Sequence, residues 1–189
     1  MLKYHDAEWG LPVDDDQLVF EKFCLEGFQS GLSWRTILNK REAFREVFES
    51  FNFEKVARYG VEDVQRLMDD DRIVRHRGKI EATINNAQRA CELVESHGSL
   101  GAFVWRYEPE AVSQRPTKSG QEFMNISRTP DSVKLAKDLK AIGWRFFGPT
   151  TAYAFMQAMG LVNDHVPGCV KRDDCEFARR GFVRPAVSF

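Results

Sequence analysis

Leu139-Lys140-Ala141-Ile142-Gly143-Trp144-Arg145-Phe146-Phe147-Gly148-Pro149-Thr150-Thr151-Ala152 sets two glycines around a short apolar link. Gly143 can take a positive φ as the C-terminal cap of one helix, and Pro149 has its φ pre-set for the first turn of the next. Upstream, Val133, Leu135, Ala136, Leu139 and Ile142 recur at the three- and four-residue steps of an amphipathic helix. The reading is a helix, a hairpin and a second helix near 132–161. Such a hairpin serves packing alone, or it turns backbone N–H groups and a helix N-terminus outward and seats a phosphate without reading sequence.

The same periodicity runs through most of the chain. Leu18, Phe20, Phe23, Cys24, Leu25 and Phe28 predict a helix after Asp14-Asp15-Asp16, which supplies an N-cap and a favourable dipole charge. Ser33 can cap a further segment carrying Trp34, Ile37, Leu38, Phe44, Val47 and Phe48. Val61 to Met68 and Lys79 to Ser96 read as amphipathic helices between turns rich in Gly, Pro or Asp. No alternating strand pattern competes, so the expected fold class is all-α. Ser113 to Pro130 reads as an extended connection, and Lys171 to Phe189 as a partly disordered tail.

With 189 residues, 43% of them hydrophobic, the chain can bury a real core, as one compact domain over 1–189 or as two small lobes sharing a cleft. Four scattered cysteines do not form a disulfide framework and fit a reducing compartment. There is no long apolar run and no signal-peptide pattern, so the expected location is the cytoplasm, with no membrane partner. Charges balance at 27 Lys and Arg against 28 Asp and Glu. That argues against a protein whose whole surface coats polyanions, and it leaves room for a local basic face. Arg72, Arg75, Arg77 and Lys79, with His76 among them, form one compact basic run, either a solvated face or a phosphate contact.

Two distant stretches carry metal-binding residue types. His5 lies in Tyr4-His5-Asp6-Ala7-Glu8-Trp9-Gly10. His165 and Cys169 lie four residues apart in Gly160-Leu161-Val162-Asn163-Asp164-His165-Val166-Pro167-Gly168-Cys169. Imidazole and thiolate both ligate Zn²⁺, and an i, i+4 pair on a helical turn joined by a distant His can clamp two chain ends. Three ligands leave a tetrahedral site one short, and a buried Cys with two hydrogen-bonded His residues is the competing reading. Glu26, inside the apolar run Phe23-Cys24-Leu25-Glu26-Gly27-Phe28, is either a core carboxylate paired with an Arg or a site residue; Trp34 is either core or site.

Taken together, Tyr4-His5-Asp6-Ala7-Glu8-Trp9-Gly10, Cys24 to Trp34, Ile73-Val74-Arg75-His76-Arg77-Gly78-Lys79-Ile80 and Phe155 to His165 closely resemble the 3-methyladenine DNA glycosylase I family. That family belongs to the helix-hairpin-helix glycosylase superfamily. The resemblance runs from about residue 4 to residue 169, in the family's order. It implies two helical lobes around a base-binding cleft and the hydrolysis of the N-glycosidic bond of 3-methyladenine in double-stranded, alkylated DNA. It makes Glu26 the catalytic, base-binding carboxylate, with Tyr4, Trp9 and Trp34 around the base. Gly143 and Gly148 become the DNA-contacting hairpin, flanked by the basic run and by Lys134, Lys137, Lys140 and Arg145. His5, His165 and Cys169 match three of the family's four ligands to a structural zinc. The fourth is a Cys ahead of the Tyr-His pair, which this chain does not show; its place falls to a residue ahead of Met1, to Cys175, to water, or stable zinc binding is lost.

Methylation at N3 makes adenine cationic and a good leaving group, so the lesion itself removes much of the barrier. Related superfamily enzymes place an Asp two residues ahead of a His, where this chain has Asn163; Asp164 is expected to cap or support the helix that bears His165. The helix after the hairpin, Thr150 to Leu161, has no Lys to serve as a Schiff-base nucleophile. A monofunctional glycosylase is expected, and a monomer suits an enzyme that scans DNA.

Overall fold

The computed structural model describes residues 1–110 and 126–186, and within them the regular structure is helical throughout. The chain runs α1 (Leu2–Ala7), α2 (Asp16–Gln29), α3 (Trp34–Val47), a left-handed turn at Glu49–Phe51, α4 (Phe53–Val56), α5 (Val61–Asp69), α6 (Arg77–His97), α7 (Leu100–Trp105), α8 (Pro130–Ala141), α9 (Pro149–Ala158) and α10 (Arg172–Gly181). None of these helices is long and apolar enough to cross a membrane.

The caps follow the residue types. Asp15 accepts the Leu18 N–H at 2.8 Å and opens α2, and Ser33 accepts the Thr36 N–H at 3.1 Å and opens α3. Asp16 reaches further and accepts the Gly101 N–H at 3.1 Å, tying the start of α2 to α7. α6 begins two residues earlier than the periodicity predicts, because His76 is its N-cap and its Nδ1 accepts the Lys79 N–H at 3.2 Å. α8 likewise begins at Pro130, with Thr129 and Ser132 capping each other reciprocally.

α2 lies at the centre. Its Val19, Phe20, Phe23, Cys24, Leu25 and Phe28 are buried, and so are Glu21 and Glu26. Phe28 meets Phe44 of α3 with ring centroids 4.6 Å apart, and Phe23 stacks on Phe155 of α9 at 3.9 Å. These rings belong to one continuous hydrophobic cluster that reaches from Val19 to Val162. Aromatic pairs of this kind add about 0.5–1.5 kcal/mol each beyond their burial.

One expectation falls largely outside the described residues and another changes. Much of the predicted connection Ser113 to Pro130 lies outside the described residues, and only 126–129 are seen, leading into α8. The predicted tail is instead ordered as α10, with Cys175 and Arg179, one turn apart, both buried. Arg179 donates through Nη2 to the Leu161 carbonyl at 2.9 Å and to Glu108 at 3.0 Å, so a charged segment packs by pairing its buried charge internally. Residues 187–189 lie outside the described part.

Candidate functional site

α1, α2 and α3 converge on a small cavity of about 200 Å³ whose lining includes Tyr4, Glu8, Lys22, Glu26, Trp34 and Arg41. Tyr4 and Glu8 are one turn apart on α1 and therefore share the face turned to the cavity. Glu26 is 4% exposed and receives no hydrogen bond from the described residues. Burial pushes its pKa up to about 8, opposed by the positive charge of Lys22. The Tyr4 and Trp34 rings lie 5.3 Å apart at 53° and form an aromatic wall. Burial, then the charges of Glu26 and Glu8, push the Tyr4 hydroxyl far up, so it stays a donor. The Trp34 Nε1–H is also buried with no partner among the described residues. Glu8 and Glu21 are held by arginines, so the cavity presents one carboxyl, Glu26, and two donors without partners among the described residues, between aromatic faces. Such unsatisfied groups mark a place built for a ligand rather than for packing.

His5 on α1 and Trp9, two residues past its end, turn instead toward His165. His5, His165 and Cys169 bring one ligating atom each to within 4.8 Å of one another. The His165 Nε2 faces the Trp9 carbonyl at 3.2 Å and its Nδ1 faces the Cys169 Sγ at 3.4 Å. The His5 Nδ1 meets Asp6 Oδ1 at 2.7 Å, leaving Nε2 toward Cys169 at 3.7 Å. In both rings an oxygen acceptor engages one nitrogen and leaves the other bare toward the cluster, the outer-shell arrangement that prepares a His to bind a metal. The donor set and its support fit zinc.

Two sequence expectations are corrected here, and one alternative for the fourth ligand is set aside. Trp9 is not among the residues lining the cavity; it lies past the end of α1, where its N–H bonds the Tyr4 carbonyl at 2.9 Å, and its indole lies against His165 at 4.7 Å and His5 at 6.0 Å. His165 and Cys169 do not sit on a helical turn: Pro167 and Gly168 (φ +88°) break the segment, and the Cys169 N–H closes a turn onto the Val166 carbonyl at 3.0 Å. Cys175 stays outside the cluster, its thiol buried toward the Trp9 carbonyl at 3.8 Å and pushed up by that burial. Asp164 caps no helix, since His165 lies in a non-helical segment; it ties that segment to α9, accepting from the Tyr153 hydroxyl and from Gln157 Nε2 at 2.8 Å. Asn163 binds the Arg172 carbonyl at 2.9 Å.

The link between α8 and α9 is shaped by its glycines. Gly143 takes φ +88°, the Trp144 N–H bonds the Leu139 carbonyl and the Gly143 N–H bonds the Lys140 carbonyl, both at 3.0 Å. That is a Schellman cap. Trp144 and Phe147 are buried against Phe23 of α2, with centroids 4.8 and 5.0 Å away, while Arg145 and Phe146 are exposed. Gly143 and Gly148 are exposed, as are Lys134, Lys137 and Lys140 on α8. The N–H groups of Phe146, Phe147 and Gly148 have no acceptor among the described residues, and no side chain caps α9. Of the basic run, Lys79 is buried and donates to the Phe28 and Ser30 carbonyls at 2.8 and 2.6 Å, and Arg72 is held by Asp70 and Glu46. Arg75 and His76 remain exposed.

Residues 1–172 match the family model described as methyladenine glycosylase. The chain belongs to the methyladenine glycosylase family. It is 45% identical over 172 residues to DNA-3-methyladenine glycosylase 1 of Escherichia coli (strain K12), covering 89% of both chains. It is 41% identical over 170 residues to DNA-3-methyladenine glycosylase of Haemophilus influenzae, covering 89% of this chain and 90% of that one. A solved structure of a 3-methyladenine DNA glycosylase I variant in complex with 3-methyladenine superimposes with a TM-score of 0.83 at 37% identity, over 90% of this chain and 91% of that one.

Several residues that shape the site of this methyladenine glycosylase escape a reading of the sequence alone. Asn86 clamps the α8–α9 link by donating to the Arg145 carbonyl at 2.9 Å and accepting its N–H at 2.8 Å, and Asn85 donates to the Gly143 carbonyl at 2.9 Å. An Asn-Asn pair inside the apolar stripe of a helix was the available signal. Arg41 and Arg45 grip Glu8 and Glu21 in bidentate pairs across α3, and Lys22 enters the cavity beside Glu26. Nothing local marks which charged residues of α2 and α3 face inward.

Proposed function

We propose that this methyladenine glycosylase excises 3-methyladenine from alkylated double-stranded DNA by hydrolysing its N-glycosidic bond, and that it is monofunctional and acts as a monomer. The observation that carries this reading is Glu26: a buried carboxyl, with no hydrogen-bond partner among the described residues, lining a cavity walled by aromatic rings. Such a carboxylate accepts hydrogen bonds from the exocyclic amine of adenine and complements a cationic purine, whereas guanine presents an acceptor there and is repelled. Tyr4 and Trp34 add cation–π attraction of about 0.5–2 kcal/mol per good contact, which neutral adenine does not receive. A base already carrying positive charge leaves readily, which suits a site with Asn163 where a catalytic Asp would otherwise stand.

To reach this cavity the nucleotide leaves the duplex, at an expense of a few kcal/mol that is least for damaged bases. The exposed link from Gly143 to Gly148, with its free N–H groups and the N-terminus of α9, supports a phosphate seat, and its fixed attachment to Phe23 sets its distance from Glu26. Lys134, Lys137, Lys140, Arg145 and Arg75 supply flanking positive charge. Zinc, held by His5, His165 and Cys169, would tie the N-terminal segment to residues 165–169 and act structurally. Metal analysis of the purified protein is expected to find about one zinc per chain, and Cys169→Ser to lose it with a lowered Tm. Full zinc retention in that variant would remove Cys169 from the ligand set.

The deciding experiment incubates the protein with DNA treated with a methylating agent and separates the released bases by chromatography. The expected result is 3-methyladenine with little 7-methylguanine. Because only the ionised carboxylate attracts the cation, kcat/KM should rise with pH toward a plateau above about 8. No released base from a folded protein overturns the reading.

A further inference from the structure

Three basic side chains line the cavity, Lys22, Arg41 and Arg45, and they are not equivalent. Arg41 is committed to Glu8 through two hydrogen bonds of 2.5 and 3.0 Å, and Arg45 to Glu21 through two of 2.7 and 2.9 Å. Lys22 makes no hydrogen bond and closes no ion pair among the described residues. It stands one turn before Glu26 on α2, so both side chains share the face turned to the cavity. The order Lys then Glu along a helix is the poorer one for a closed pair, since both side chains lean toward the N-terminus. Two opposite charges therefore face one small space, and the carboxyl between the aromatic walls has no donor of its own.

We propose that Lys22 is a positioning residue for Glu26: it is the counter-charge of the carboxylate in the empty cavity, and the cationic base takes over that role when it enters. The inference rests on the proposed role of Glu26. The other titratable groups facing the pair are Tyr4 and Glu8 from α1, Glu21 from α2, and Arg41 and Arg45 from α3. Each of the two carboxylates also has an arginine hydrogen-bonded to it, whereas Glu26 has no such partner among the described residues, and the positive charge that acts on it is that of Lys22. Its own ammonium is weakened by burial and favoured by Glu8, Glu21 and Glu26. Without Lys22, burial alone acts on Glu26, and the carboxylate form that binds the cation becomes scarcer at neutral pH.

The test is the pH dependence of kcat/KM for 3-methyladenine release, with folding verified by thermal melting. Lys22→Met and Lys22→Gln are expected to move the acidic limb up by about one pH unit and to lower kcat/KM at pH 7 by roughly tenfold, with recovery near pH 9. Lys22→Arg should retain the wild-type limb. Loss of activity without movement of the limb, or Lys22→Met and Lys22→Arg behaving alike, overturns the proposal. Glu26→Gln, measured alongside, separates the two readings. If it abolishes the limb while Lys22→Met leaves it in place, only the role of Lys22 falls; if Glu26→Gln keeps the limb, both fall.

Discussion

Glu26→Gln is expected to lower kcat/KM for 3-methyladenine release by about 10²-fold or more, since removing one partner of a desolvated charge pair forfeits roughly 2–5 kcal/mol. The same substitution is expected to stabilise the empty protein. Its folded-state pKa of about 8 stands above the ordinary 4.5 of an unfolded chain. Between those values the folded protein holds a proton that the unfolded chain has lost, so the stabilising contribution of the group, complete below about 4.5, disappears as pH rises through about 8. A shift of this size corresponds to on the order of 5 kcal/mol as an upper figure. Gln, uncharged at every pH and nearly isosteric, escapes it. Chemical denaturation at pH 5, 7 and 8.5 should show the variant gaining on the wild type as pH rises. Equal slopes for the two proteins would mean that Glu26 is not held protonated by burial, and unchanged excision would remove it from the site.

Gly160→Ala should produce the largest loss of stability. α9 ends in a second Schellman cap: the Leu161 N–H bonds the Met156 carbonyl at 3.0 Å, the Gly160 N–H bonds the Gln157 carbonyl at 3.3 Å, and Gly160 takes φ +74°. Any Cβ there would also lie 2.6 Å from the Leu11 carbonyl carbon and 2.7 Å from both its oxygen and the Pro12 nitrogen. Gly143, with the same kind of φ, has nothing nearer than the Arg89 Cδ at 3.8 Å. The left-handed conformation alone costs about 1–2 kcal/mol, and displacing packed backbone adds roughly 1–3 kcal/mol. Gly160→Ala is therefore expected to lose about 2–5 kcal/mol and Gly143→Ala about 1–2 kcal/mol, as read by urea denaturation. The displaced peptide follows Trp9 and Gly10, so Tyr4 and His5 should shift with it and excision should fall as well. Similar losses in the two variants would show that the Leu11–Pro12 peptide yields freely.

The sequence was informative wherever a local rule applied. Three- and four-residue periodicity, caps at Asp15 and Ser33, and Gly143 with Pro149 mark helices whose ends are governed by the residues on the spot. It was less informative where distant groups decide. Arg172–Gly181 looks like a polar tail until Arg179 finds the Leu161 carbonyl and Glu108. Lys79 reads as one of four basic residues until its amine closes on the end of α2.

By itself, then, the sequence determined an all-helical chain, the methyladenine glycosylase motifs, and the residue types needed for a base cavity and a zinc cluster. These depend on spacing and side-chain chemistry, which are written residue by residue. The packing of the helices settled that Trp9 belongs with His5 and His165 while Tyr4 belongs with Trp34 and Glu26, that Cys175 stays outside the cluster, and that Lys22 lines the cavity with no hydrogen-bonded partner among the described residues. The physical reason is that the face a helix presents, and the water it excludes from a carboxyl such as Glu26, are set by which other helices pack against it.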